Sequence, residues 1–88
     1  MDDAEDAVRV WLVEREIDDR DLVSLTYATP DGERVFERTL ALAVLDDGAK
    51  AARDVEADEL DATPADKTDR YAAEAERVAA EHDPEDRL

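Results

Sequence analysis

With 88 residues, no cysteine and a formal net charge of −16, the chain has room for one small domain, cannot be stapled by disulfides and offers no thiolate metal site. Acids outnumber bases 27 to 11, a balance that sets the protein's own field against nucleic acid. Two glycines and one histidine leave no glycine-rich phosphate loop and no zinc motif.

Twenty-two large apolar residues and 16 alanines make a thin core for a single domain over residues 1–88. A chain of this size buries only about 60–65% of its unfolded surface. Oligomerisation is the usual further support, and a homodimer is expected. Of the 27 acids 16 are Asp, nine of the 11 bases are Arg, and Asn and Gln are absent. The acids run along the whole chain among periodic apolar residues, so they belong to a folded surface. Self-repulsion at this charge opposes compaction in dilute buffer. At ~1 M salt the Debye length falls to about 3 Å and the penalty largely disappears. The composition therefore fits a salt-rich cytosol. Met1 is followed by Asp2 and Asp3, without a basic leader, and the apolar run over residues 40–45 is too short to span a bilayer. A soluble cytoplasmic protein is expected.

Residues 1–17 read as a helix. Asp2 or Asp3 caps it, Glu5 and Asp6 favour its positive end, and Ala4, Ala7, Val8, Trp11 and Leu12 share a face. The alternative is a strand in which Val8, Val10 and Leu12 alternate with Arg9, Trp11 and Val13. A polar connector, residues 17–21, follows.

The centre of the chain is a β-hairpin. Leu22, Val23, Leu25, Thr26 and Tyr27 form one strand-like run, and Arg34, Val35, Phe36, Arg38, Thr39 and Leu40 a second. Between them Pro30 suits the first central position of a type I turn, Asp31 the second, and Gly32 the positive φ that follows. A lone hairpin is marginal in water and needs cover.

Alanines and Leu42, Leu45, Ala49 and Ala52 on one stripe favour a helix from near Ala41 to Arg53. Gly48 either weakens that helix or breaks it in a turn at Asp46, Asp47 and Gly48. Residues 54–62 carry no clear signal. Thr63 as cap, Pro64 in the first turn and Asp66 as the capping-box acid then open a helix that runs to Glu81, with Ala65, Tyr71, Ala72, Ala75, Val78, Ala79 and His82 near one face. Pro84 stops it, and residues 84–88 read as a frayed tail.

Few residues qualify for chemistry. His82 has no cysteine and only Ser24 as a hydroxyl nucleophile of its type, so it reads as a helix-end residue rather than a base. The pairs Asp18/Asp19 and Asp46/Asp47, and the set Asp54, Asp58 and Asp61, match no calcium-loop spacing and read as solvated surface; no metal and no cofactor are expected. Arg34, Phe36 and Arg38 project from one face of the second hairpin strand and form the candidate contact face. Bases interleaved with an aromatic can grip phosphates, but pairing with the chain's own acids or with a second subunit fits this field better than nucleic acid. Trp11, Tyr27 and Phe36 read as core or interface anchors.

The Asp/Arg/Ala style throughout, and the segment DVEADELDATPADKTDRYAAEAERVAAEH over residues 54–82, resemble the small conserved-hypothetical acidic proteins of haloarchaea. The resemblance implies no activity, ligand or site residue.

The expected fold is α+β: an N-terminal helix (or strand), a central antiparallel hairpin, and one or two C-terminal helices packed on it. The expected function is that of a non-catalytic interaction module or accessory subunit with a protein partner. The alternative is an acidic antagonist of a basic partner, a DNA mimic or an antitoxin-like protein; a small enzyme or metal-binding protein ranks last.

Overall fold

A computed structural model describes residues 7–45 and 48–88. Five antiparallel strands form one sheet in the order β4-β1-β2-β3-β5. They are β1 (Ala7–Ile17), β2 (Leu22–Ala28), β3 (Arg34–Ala41), β4 (Ala52–Glu56) and β5 (Asp61–Ala62), and a single α-helix, α1 (Thr68–Glu81), follows them. The architecture is α+β with a predominance of strand. Among the described residues no helix is long and apolar enough to cross a membrane.

The N-terminal helix of the sequence reading is not there: Ala7–Ile17 is an 11-residue strand pairing with both β2 and β4. The helical spacing was a product of burial on both faces. Val10 and Leu12 point into one apolar cluster and Trp11 into another, so a strand buried on both sides shows consecutive apolar residues where a half-buried one alternates. A bulge adds to the confusion. Leu12 pairs with Tyr27 and Glu14 with Thr26, leaving Val13 as the extra residue. The capping residues proposed for that helix lie outside the described residues.

The hairpin stands at the expected residues, with Tyr27 opposite Phe36 and Leu25 opposite Arg38. In its turn the Gly32 amide donates to the Thr29 carbonyl at 2.8 Å, and Gly32 takes φ +74°. The Asp31 carboxylate accepts the Thr29 hydroxyl at 2.6 Å and the Glu33 amide at 2.9 Å.

The helix expected from Ala41 to Arg53 is also absent. Leu42–Leu45 is a short 3-10 turn, Gly48 has φ +87°, and the chain re-enters the sheet as β4. Ala49, Ala51 and Ala52 are buried: they serve close packing, not helix propensity. The uncommitted stretch after Asp54 finishes β4, makes a 3-10 turn (Ala57–Glu59) and ends as β5 beside β3. One C-terminal helix, not two, is present. Its first turn is a 3-10 turn (Ala65–Lys67), and Thr63 does not cap it: the Thr63 amide bonds the Glu33 carbonyl at 3.0 Å and its hydroxyl has no partner.

The two faces of the sheet are covered differently. On one, α1 lays Tyr71, Ala75 and Val78 over Trp11, Ala28, Val35 and Ala52. On the other, Val10, Leu12, Val23, Leu25, Tyr27 and Val55 are covered by irregular chain, through Leu45, Ala49, Leu60 and Leu88. Residues 84–88, expected to fray, run beside residues 49–52. The Ala49, Ala51 and Ala52 amides donate to the Leu88, Asp86 and Pro84 carbonyls, and the Leu88 amide returns to Ala49 at 2.7 Å. The tail is a strap across the open end of the second core.

Candidate functional site

On the strap-covered face four cations converge from four places in the chain. Arg38 projects from β3, opposite Leu25, and Arg53 from β4, opposite Val10. Lys50 precedes β4, and Arg87 bridges to it from the strap. All four line a single cavity of about 370 Å³. Tyr27 forms part of its wall, and its buried hydroxyl donates to the Lys50 carbonyl at 2.9 Å, which fixes Lys50 at the edge. Leu25, Leu40, Val44 and Leu45 supply the apolar wall.

The charge balance of this cavity inverts that of the chain. Among the described residues no Asp or Glu lines it. Nor does any described carboxylate stand within ion-pair distance of Arg38, Arg53 or Arg87. Lys50 alone is matched, by Glu85 at 3.2 Å. The Arg87 guanidinium has only the Gly48 carbonyl, at 3.4 Å, and the Nε of half-buried Arg53 is shut from solvent with no hydrogen-bond partner. Burial pushes the Tyr27 hydroxyl pKa up, while the nearby guanidiniums of Arg53, Arg38 and Arg87 pull it the other way. Like charges gathered in a partly dry cleft repel. A fold that gathers them with Glu85, on Lys50, as the one counter-charge among the described residues has a conflict of the kind that marks functional sites.

A second cavity, about 260 Å³, lies on the other side of Lys50 and Arg53 and has the opposite character. Asp54 pairs with Arg9 there, holding its carboxyl below the usual range, and Glu85 faces Lys50. Its charges are largely answered from within, so it asks for no ligand.

A family model, described as a family of unknown function (DUF7967), matches residues 4–88. The chain belongs to this family. No curated protein and no solved structure matches it. All four cavity cations of this DUF7967 member lie within the matched residues.

The three residues of the contact face read from the sequence part company in this DUF7967 fold. They share the strap-covered face, but only Arg38 lines the cavity. Phe36 packs on Tyr27, with ring centroids 6.5 Å apart and planes tilted by 53°, and so belongs to the core. Arg34 is exposed at the β5 edge, opposite Ala62. Lys50, Arg53 and Arg87 were missed because no spacing in the sequence joins them; only strand pairing and the returning strap do.

The remaining candidates have local duties. Asp18 accepts the Arg20 amide at 2.8 Å and the Leu22 amide at 3.0 Å, shaping the β1–β2 turn in which Asp21 has φ +62°. His82 Nδ1 stands 3.6 Å from an Asp86 carboxylate oxygen at the end of α1. Asp54 pairs with Arg9, while Asp58 and Asp61 fall in the 3-10 turn and in β5, not along a helix. Asp46 and Asp47 lie outside the described residues. Among the described residues no three His, Asp or Glu groups gather as metal ligands would. Trp11 packs on the α1 side with Ala75 and Val78.

Proposed function

We propose that this chain is a non-catalytic binding module, an accessory subunit of a salt-rich archaeal cytosol, that captures an anionic group in the cavity of Arg38, Lys50, Arg53 and Arg87. The observation that carries the reading is the lack of any described carboxylate on the cavity wall, in a chain with 27 acids. Guanidinium forks match carboxylate and phosphate oxygens two at a time, and three of them in one cleft form a strong anion trap. Titration calorimetry in multimolar KCl against phosphate, sulfate and small organic anions tests it. Binding that weakens in Arg38→Gln and Arg53→Gln supports the module, and absence of heat with every anion overturns it. The salt-rich setting is tested separately: melting temperature should climb steeply with KCl, and a salt-independent melt would contradict it.

A homodimer belongs to the same proposal. Ile17 and Leu42 are exposed large apolar residues at one crevice beside the cavity, a patch that a second copy can cover. Light scattering in high salt that returned the monomer mass would remove this part.

The acidic antagonist remains the second reading, favoured by one observation. Beyond the start of α1 the opposite sheet face carries Glu14, Glu16 and Glu37 around a groove with a single Lys67. Such a strip suits a basic partner. A pull-down in multimolar KCl that recovers no basic protein would eliminate it.

A further inference from the structure

The anion-binding reading leaves the ligand's class open, and the cavity's two unlike walls narrow it. On that reading, we infer that the occupant is a small organic phosphomonoester, a compact dianionic head on an apolar body. The head is set by charge. Three guanidiniums and one ammonium face the cavity, and one of the four, Lys50, already has Glu85 as counter-charge. A monocarboxylate would answer one of the three charges that no described carboxylate meets, whereas a phosphomonoester carries about −1.5 to −2 at neutral pH and three acceptor oxygens. Those oxygens suit donors arriving from different directions, as these do from β3, β4 and the strap. Arg53 is held at the cavity wall by β4, and no described carboxylate pairs with its guanidinium.

The body is set by volume and wall. A cavity of about 370 Å³ is far larger than an inorganic oxyanion and sits at the small end of the range for organic ligands. The space beyond the cations is bounded by Leu25, Leu40, Leu45 and Val44, the last 69% exposed. Filling it recovers burial that the protein alone leaves unused. Such a contact also resists the salt that screens bare charge, since the Debye length is only about 3 Å at 1 M. A polymer duplex does not fit: the cleft is small and the acidic surface repels a polyanion.

Titration calorimetry on the full chain in multimolar KCl separates the terms with three probes: phenyl phosphate, inorganic phosphate and benzoate. Phenyl phosphate should bind about ten- to a hundredfold more tightly than inorganic phosphate, the worth of burying one ring. It should exceed benzoate by at least about tenfold, the worth of the second charge. Arg53→Gln and the rim variant Arg87→Gln should each weaken phenyl phosphate by about tenfold or more, while Arg77→Gln, on α1 across the sheet, leaves it unchanged. Because Arg53 is half-buried, its variant counts only with a retained melting transition; exposed Arg87 gives an independent arm. Inorganic phosphate binding as tightly as phenyl phosphate would overturn the apolar body and leave the anion site standing. Benzoate equal to phenyl phosphate would overturn the dianionic head. Silence from all three would overturn this inference, and silence from sulfate and the other small organic anions as well would take the binding module with it.

Discussion

Gly32 lies directly beneath the first turn of α1, so that a β-carbon at position 32 would stand 2.7 Å from the Ala72 amide nitrogen. The hairpin turn and the helix are thus locked at a place where only a hydrogen fits, and the same residue needs its positive φ of +74° for the turn. Gly32→Ala meets both constraints. The backbone conformation and the overpacking together should cost roughly 2–4 kcal/mol, a fall in melting temperature of about 10 °C or more for a domain of this size. Thermal unfolding in multimolar KCl, where charge repulsion is screened, gives the comparison. A loss below ~1 kcal/mol would mean that α1 can lift from the turn.

Tyr27→Phe should keep the core packing and lose one hydrogen bond. The ring is buried and its hydroxyl serves the Lys50 carbonyl at 2.9 Å. Expected destabilisation is about 1 kcal/mol, read as about 5 °C in a melt. Because the hydroxyl fixes the backbone of Lys50 at the cavity edge, anion binding should weaken together with stability. Undiminished affinity would place Lys50 outside the binding event.

Acid should loosen both turns of the β1–β2–β3 meander. The Leu22 and Arg20 amides hold the Asp18 carboxyl below its usual pKa, and the Thr29 hydroxyl and Glu33 amide do the same for Asp31. Depressed folded values stabilise the fold fully above the unfolded carboxylate pKa of about 3.9, and this stability is lost as pH falls through the folded values. In dilute buffer, protonating surface acids also relieves repulsion, an opposite trend, so the titration belongs in high KCl. Asp18→Asn and Asp31→Asn should each flatten the fall of melting temperature below about pH 4. A slope equal to that of the parent would assign acid sensitivity to other carboxylates.

Hydrogen exchange should find the strap ordered. The amides of Ala51 and Leu88 donate across it at 2.8 and 2.7 Å. They should exchange far more slowly than free amides, in step with β4. Exchange at the rate of an open chain would return residues 84–88 to a frayed tail and take Arg87 away from the cavity.

The hairpin was legible because its signals are local: β-branched runs on either side of Pro30, Asp31 and Gly32 fix a turn without help from the rest of the chain. Residues 7–17 were not, because burial on two faces and a bulge at Val13 erase the alternation by which a strand is read. The alanines near residue 50 misled for another reason. Small size at Ala49, Ala51 and Ala52 lets the strap and Trp11 approach, a tertiary demand that helix propensity cannot express. At the site, Arg38 announced itself by alternating with Phe36. Lys50, Arg53 and Arg87 became its neighbours only through long-range pairing, hidden in a sequence whose acidity suggests no basic pocket at all.

The bulge in β1 gives the molecule its joint. The shift between Leu12 and Glu14 leaves Val13 free of a partner across the ladder, yet it packs against both the Trp11–Val78 cluster and the Ala28–Tyr71 cluster. Remove that residue and Leu12, Glu14 and Arg15 fall into plain alternation, each still on its own side of the sheet. The ladder would close cleanly while the two halves of the helix-side core parted. A single surplus residue, costing one pairing, thus acts as the mortar between two otherwise separate courses of apolar packing.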